Sequence, residues 1–183
     1  MRILRSAGHR QMPWKNGKGV TTEIAVFPEG APVDGFDWRI SMAKVPESGP
    51  FSAFPGVDRV LAVLDGEMVL TVDGQLPETL GPSSPAIGFP GDIPTHAVVL
   101  HAVTDLNVMV RRGKFSVRVK RCDDAIVAGK GTHTFLVVRS AAKLATGEKL
   151  GANDVLHLTN AETVTFADVP SGAWLVEIDG LSA

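Results

Sequence analysis

The groups best suited to chemistry in this chain are two arginines, a glutamate and two asparagines set among short apolar runs. Trp14-Lys15-Asn16-Gly17-Lys18-Gly19 is the richest local cluster. Its glycines let backbone amides approach a ligand closely or turn tightly. Asn16 offers a donor and an acceptor, and the lysines bring positive charge. Such a loop suits a carboxylate. It is not a Walker phosphate loop, because position 12 is Met rather than Gly, and Gly19 rather than Ser or Thr follows Lys18. The competing reading is a hairpin turn with solvated lysines. Thr21 and Glu23 share one strand face where the segment is extended, and Arg39 and Ser41 share another. A buried arginine must find a carboxylate, since an unpaired charge in low dielectric is expensive. Arg39 has two candidates: Glu23, or a ligand carboxylate gripped at two points by the planar fork. Arg59 opens a very apolar strand and faces the same choice. Asn107 lies between Leu106 and Val108, on the face opposite two apolar side chains, where a buried amide needs partners that a ligand can supply.

Other constellations point to less. Cys122 is the one cysteine, so no intrachain disulfide framework exists and a reducing compartment is expected. No serine sits in a Gly-x-Ser-x-Gly elbow, Cys122 has no histidine near it in sequence, and no catalytic nucleophile is assigned. Arg111, Arg112, Lys114, Arg118, Lys120 and Arg121 form an acid-free basic stretch. Its faint likeness to an RNA-recognition strand fails after Phe115, because the aromatic pattern stops, so it reads as a solvated strand face and no nucleic-acid partner is expected.

The elements that must position these groups are strands. Trp38 to Ala43 alternates and ends at Pro46 and Ser48-Gly49-Pro50. Arg59–Leu64 and Met68–Val72 read as two strands, each closed by an Asp-Gly step, Asp65-Gly66 and Asp73-Gly74, as in a meander. Residues 75–86 read as loop. Further strands are expected at 97–100, 106–110, 115–120, 134–139, 155–158, 163–166 and 173–178. Short helical turns near 123–127 or 141–145 fit the pattern less well. About ten short strands with frequent turns give an all-β sandwich or barrel. Gly91-Asp92-Ile93 and Asn153-Asp154-Val155 each feed a strand, a weak internal echo that hints at two stacked barrels.

Composition agrees with one soluble globular unit, or two small intimate halves, rather than independent domains. The chain has 183 residues, 20 acids against 18 bases and a net charge of −2. Its 19 glycines and 12 prolines, spread along the chain, imply many turns. The near balance of charge argues against a strongly basic nucleic-acid binder. Arg2, Arg5 and Arg10 leave no room for an apolar signal core, and the longest apolar run, Val60–Leu64, is far short of a membrane span. A cytoplasmic protein with no membrane partner is expected, and exposed β edges leave room for a homodimer.

Three stretches together resemble the HutD/Ves family. They are Trp14 to Ile24; Phe36-Asp37-Trp38-Arg39-Ile40-Ser41-Met42-Ala43, continuing through Gly49-Pro50-Phe51-Ser52-Ala53-Phe54-Pro55-Gly56 to Arg59; and Phe89-Pro90-Gly91-Asp92, followed by Asp105-Leu106-Asn107-Val108-Met109 and Arg111-Arg112-Gly113. The resemblance implies an all-β fold of cupin-type jelly-roll barrels, two halves (1–113 and 114–183) in one compact unit spanning 1–183. It also implies a link to histidine utilisation through a small metabolite, urocanate or formylglutamate, with no enzymatic reaction attached.

Many cupins hold a metal, yet the positions of a His-x-His pair fall here on Ser52 and Phe54, and the carboxylate position near Asp58 or Arg59. His96 stands alone near a second-motif position, and one imidazole does not make a three- or four-ligand site. The reading that results is a metal-independent, cofactor-free binding protein for a small carboxylate, a sensor or regulator of histidine breakdown. Its anchors are Asn16, Glu23, Arg39, Ser41 and Asn107, its walls Trp14 or Phe54, with Thr21 and Arg59 in support. Two alternatives remain at this stage: an isomerase or hydrolase with Glu23 or His96 as general base, and a protein–protein regulator with a vestigial pocket.

Overall fold

The computed structural model describes residues 1–14 and 19–181. Its described elements are strands and one 3-10 turn (Ser6–Gly8). In chain order the strands are β1 (Arg2–Leu4), β2 (Arg10–Pro13), β3 (Val20–Phe27), β4 (Trp38–Val45), β5 (Gly49–Pro50), β6 (Val57–Val72), β7 (Glu78–Leu80), β8 (Ile87–Pro90) and β9 (Thr95–Arg111). They continue as β10 (Phe115–Cys122), β11 (Ile126–Ala128), β12 (His133–Val137), β13 (Ala142–Leu144), β14 (Lys149–Leu150), β15 (Val155–Leu158), β16 (Thr163–Asp168) and β17 (Ala173–Gly180). The stretches where short helical turns are the weaker reading, 123–127 and 141–145, hold none; β11 begins at Ile126 and β13 at Ala142. No described helix is long and apolar enough to cross a membrane.

The chain packs as two units. Arg10–Phe115 carries an eight-stranded sheet in the order β2-β3-β4-β9-β6-β7, with β5 added to β9 and β8 to β6. The other unit joins Met1–His9 to Ser116–Ala183. It has a five-stranded sheet, β1-β15-β12-β17-β10, and a four-stranded one, β11-β16-β13-β14. Val127, Leu144, Leu150, Val164 and Phe166 meet Leu136, Leu156 and Leu175 in its core. The hydrogen-bonded order of each sheet is open at both ends, so none of the three closes into a complete barrel.

The spine of the Arg10–Phe115 unit is a pair of long antiparallel strands, β6 and β9. The sequence suggests four short strands here, with a hairpin at Asp65-Gly66. The structure shows instead that the pairing runs from Val57↔Arg111 to Val72↔Thr95, with register shifts around Asp65 and Glu67. Gly66 has φ +82°, and a Cβ there would lie 2.1 Å from the Ala102 carbonyl oxygen. Asp-Gly thus makes a β-bulge, which bends the strand without ending it. The later Asp73-Gly74 step is a true turn: Gly74 has φ +79°, and β7 returns along β6 with Met68 opposite Leu80. β7 occupies part of the stretch expected to be loop.

The core of this unit follows from period-two alternation. On β6 and β9, Leu61, Val63, Met68, Leu70, Val72, Ala97 and Val103 are buried together with Leu80 and Phe89. The same faces continue past this cluster to Arg59, Asp105, Asn107 and Met109, where the apolar lining gives way to polar groups.

Candidate functional site

Strand register gathers the polar groups. Ser41 on β4 lies opposite Asn107 on β9, Ala43 opposite Asp105, and Arg39 opposite Met109. On the far side of β9, Arg59 of β6 is also opposite Met109. On the near side of β4, Glu23 of β3 is opposite Ser41, and a register shift after Glu23 brings Val26 opposite Arg39. Side chains two apart on a strand share a face, so Arg39, Ser41, Asp105, Asn107 and Arg59 present to one side of the sheet. A cavity of about 520 Å³ lies there, within the range of about 300–1,000 Å³ typical of small-molecule pockets.

Arg39 and Glu23 choose one another. The Arg39 Nε–H donates to Glu23 Oε2 at 2.7 Å, and the two side chains are 6% and 10% exposed. Arg39 Nη2 also lies 3.9 Å from Met12 Sδ. Arg39 still lines the cavity, but its guanidinium already has its counter-ion on the protein.

Arg59 makes no such direct ion pair. It is 4% exposed and its guanidinium carbon lies 4.9, 5.3 and 5.6 Å from the ring centres of Phe51, Phe89 and Phe54. Such a cage holds a planar cation by cation–π attraction. One Nη1–H reaches the Ser52 carbonyl oxygen at 3.4 Å, while the buried Nε–H has no hydrogen-bond partner. Burial lowers its pKa to about 10, against the opposing pull of Asp105, so it remains charged at neutral pH. Asp105 is 1% exposed and its Oδ1 is unpartnered. Burial raises its pKa to about 7, with the Arg59 charge and the Ala43 N–H holding it down. The Asn107 Oδ1 is likewise buried without a partner.

The walls are apolar. Trp14 lines the cavity, and its indole N–H donates to Thr21 Oγ1 at 2.8 Å. Gly19 makes room for it: a Cβ there would lie 2.7 Å from the indole ring and 2.8 Å from the Lys44 carbonyl oxygen. Phe54 also lines the cavity, fixed by its backbone N–H donating to the Gly91 carbonyl oxygen at 2.7 Å.

Of the residues singled out in the sequence, Trp14, Thr21, Arg39, Ser41, Phe54, Arg59 and Asn107 line this one cavity. Glu23 stands behind Arg39 as its ion-pair partner. Asn16 lies outside the described residues, with Lys15, Gly17 and Lys18. His96 is exposed on β9, opposite Pro50 and Thr71, and is not among the cavity's lining residues. Asp105 was not singled out, although counting back two from Asn107 puts it on the same face. The basic stretch is partly engaged: Arg112 binds Asp92 and Asp58, Arg111 donates to the Phe36 carbonyl oxygen, and Arg121 lies over Trp174.

A transition metal does not fit these residues. Among the described residues that line the cavity there is no His or Cys and one carboxylate, Asp105, while Arg39 and Arg59 bring two positive charges to the same space. Among the described residues, no group of three or more His, Cys, Asp or Glu side chains is placed to hold a metal ion. Ser52 and Phe54, at the positions where a cupin would carry its imidazole pair, line the cavity without offering nitrogen ligands. The chemistry on offer is recognition: a caged cation, two unsatisfied oxygens and aromatic walls.

Comparison with known proteins agrees with this architecture. The model of the HutD family matches residues 6–175. An uncharacterised 21.2 kDa protein from the hutC 3′ region of Pseudomonas putida is 31% identical over 97% of both chains. Protein Ves of Citrobacter koseri is 35% identical over 77% of this chain and 75% of its own. Among solved structures, HutD from Pseudomonas fluorescens superposes with a TM-score of 0.82 at 30% identity, covering 99% of each chain. More distantly, a bacterial pirin in complex with nickel(II) from Escherichia coli has a TM-score of 0.65 at 11% identity, covering 97% of each chain, a likeness of fold alone. The all-β architecture is thus cupin-like.

Proposed function

The chain belongs to the HutD family, and from that premise we propose that it is a metal-independent binding protein for a small carboxylate metabolite, a cytoplasmic sensor or regulator of histidine breakdown. The observation that carries this reading is Arg59: a buried guanidinium, caged by three phenylalanines, whose Nε–H is unpartnered beside a cavity of about 520 Å³. A buried donor left unpaired is costly, and a charged one more so. A carboxylate in the cavity supplies the missing acceptor and a counter-ion in one group. Asn107 and Ser41 then meet the polar part of the guest, and Trp14 and Phe54 its apolar part. The two units correspond, on this reading, to two cupin-type halves, with the described cavity in Arg10–Phe115. The P. putida relative lies in the hutC region, which makes urocanate and formylglutamate the first compounds to try.

Isothermal titration calorimetry of chelator-treated protein tests the proposal. Urocanate or formylglutamate is expected to give saturable binding, with histidine as the comparison. Absence of heat and of any mass shift in native mass spectrometry for all three would remove the carboxylate reading. Chemical conversion of either compound during long incubation would move the protein into the enzyme class.

A further inference from the structure

The charge balance of the cavity turns on one proton. Among the described residues, four ionisable groups belong to the sheet face that meets it: Glu23 from β3, Arg39 from β4, Arg59 from β6 and Asp105 from β9. The segments that complete the walls contribute Met12, Trp14, Phe51, Ser52 and Phe54, none of which ionises. Glu23 and Arg39 neutralise one another across 2.7 Å. Arg59 and Asp105 remain.

With Asp105 ionised, the positive charge of Arg59 is already balanced. A monocarboxylate entering then adds a negative charge that nothing compensates, in a site where uncompensated charge is strongly unfavourable. With Asp105 protonated, the guest becomes the counter-ion of Arg59, and the occupied site is neutral. Asp105 is placed to take up that proton. It is 1% exposed, it lines the cavity, and its Oδ1 has no hydrogen-bond partner. A proton on that oxygen gives it a donor to offer the guest. Burial raises this carboxyl to about 7, so the empty site holds both forms near neutrality, while Arg59 and the Ala43 N–H favour the ionised one.

Resting on the carboxylate-binding reading above, we propose that Asp105 takes up one proton from solvent as a monocarboxylate binds, so that the guest enters as the counter-ion of Arg59 with a neutral acid beside it. No covalent bond in the guest is made or broken; one proton moves from water to the Asp105 carboxylate. Asp105 is thereby a specificity-determining residue, because a neutral guest gains nothing from the proton and an anion does.

The test is calorimetry with urocanate, the one of the two compounds that carries a single carboxylate, above the pH range in which its imidazole titrates. At about pH 8 the binding heat should vary with the ionisation enthalpy of the buffer, with uptake approaching one proton per guest. The dissociation constant should weaken about tenfold between about pH 8 and about pH 9. Asp105→Asn, which has no proton to exchange, should flatten the profile and remove the buffer dependence. Wild-type binding with a flat pH profile and no buffer-dependent heat would overturn this inference and leave the carboxylate reading standing. A variant that keeps the wild-type slope would overturn it equally. Absence of urocanate binding would overturn this inference, and absence of formylglutamate binding as well would remove both.

Discussion

Replacing Arg39 by alanine is expected to destabilise the protein by about 3–5 kcal/mol, the range for breaking one side of a buried ion pair. The side chains of Arg39 and Glu23 are 6% and 10% exposed and 2.7 Å apart, so truncating the arginine strands a carboxylate in low dielectric. The cost should come from that stranded charge more than from the lost attraction. A second variant separates the two. With Arg39→Met and Glu23→Gln together, no charge is left behind, and most of the lost stability should return, because well-packed neutral replacements of buried pairs are often close to neutral. Urea denaturation of the two variants reads the difference. A loss below about 1 kcal/mol for Arg39→Ala, the size of an exposed pair, would mean that water reaches this pair freely.

Arg59→Ala should act on binding. Hydrogen bonds to charged groups are worth about 1.5–3 kcal/mol, so affinity for a carboxylate guest should fall about 10- to 150-fold. Arg59→Lys should not rescue it. The cage of Phe51, Phe54 and Phe89 holds a planar, delocalised cation, whereas an ammonium is a strongly hydrated point charge with different reach. Calorimetry on both variants, after circular dichroism has shown the β signature retained, checks this. Undiminished affinity in Arg59→Lys would show that charge alone suffices. Undiminished affinity in Arg59→Ala would transfer the anchor to another group.

The contrast between the two arginines explains how far the site was legible in the sequence. Period-two alternation placed Arg39, Ser41 and Asn107 correctly on strand faces, because side-chain direction along a strand is local. Which arginine kept a free donor was not local. It depended on the register shift in β3 after Glu23 and on three phenylalanines that reach Arg59 from β8 and from the segment before β6. Asp105 was within reach of the same counting, two residues before Asn107, but its sequence neighbours Thr104 and Leu106 say nothing of the burial that shifts its titration.

The fold divides along the same line. Asp73-Gly74 reverses the chain as its dipeptide suggests, and Asp65-Gly66 does not, though both glycines take positive φ. The difference lies in the partner: β9 continues past the second half of β6, so Gly66 can only be a bulge. Likewise β1 pairs with β15, Arg2 opposite His157, across most of the chain length. That contact joins Met1–His9 to the Ser116–Ala183 unit, and no local pattern in the first nine residues announces it.

Carboxylate binding at Arg59 is tested most directly by a crystal structure of the protein soaked or co-crystallised with urocanate or formylglutamate. The expected result is a carboxylate within hydrogen-bond distance of the Arg59 guanidinium, in the cavity lined by Trp14 and Phe54, with no metal ion bridging guest and protein. A guest bound elsewhere, or one held in this cavity through a metal ion while Arg59 Nε remains without an acceptor, would contradict it.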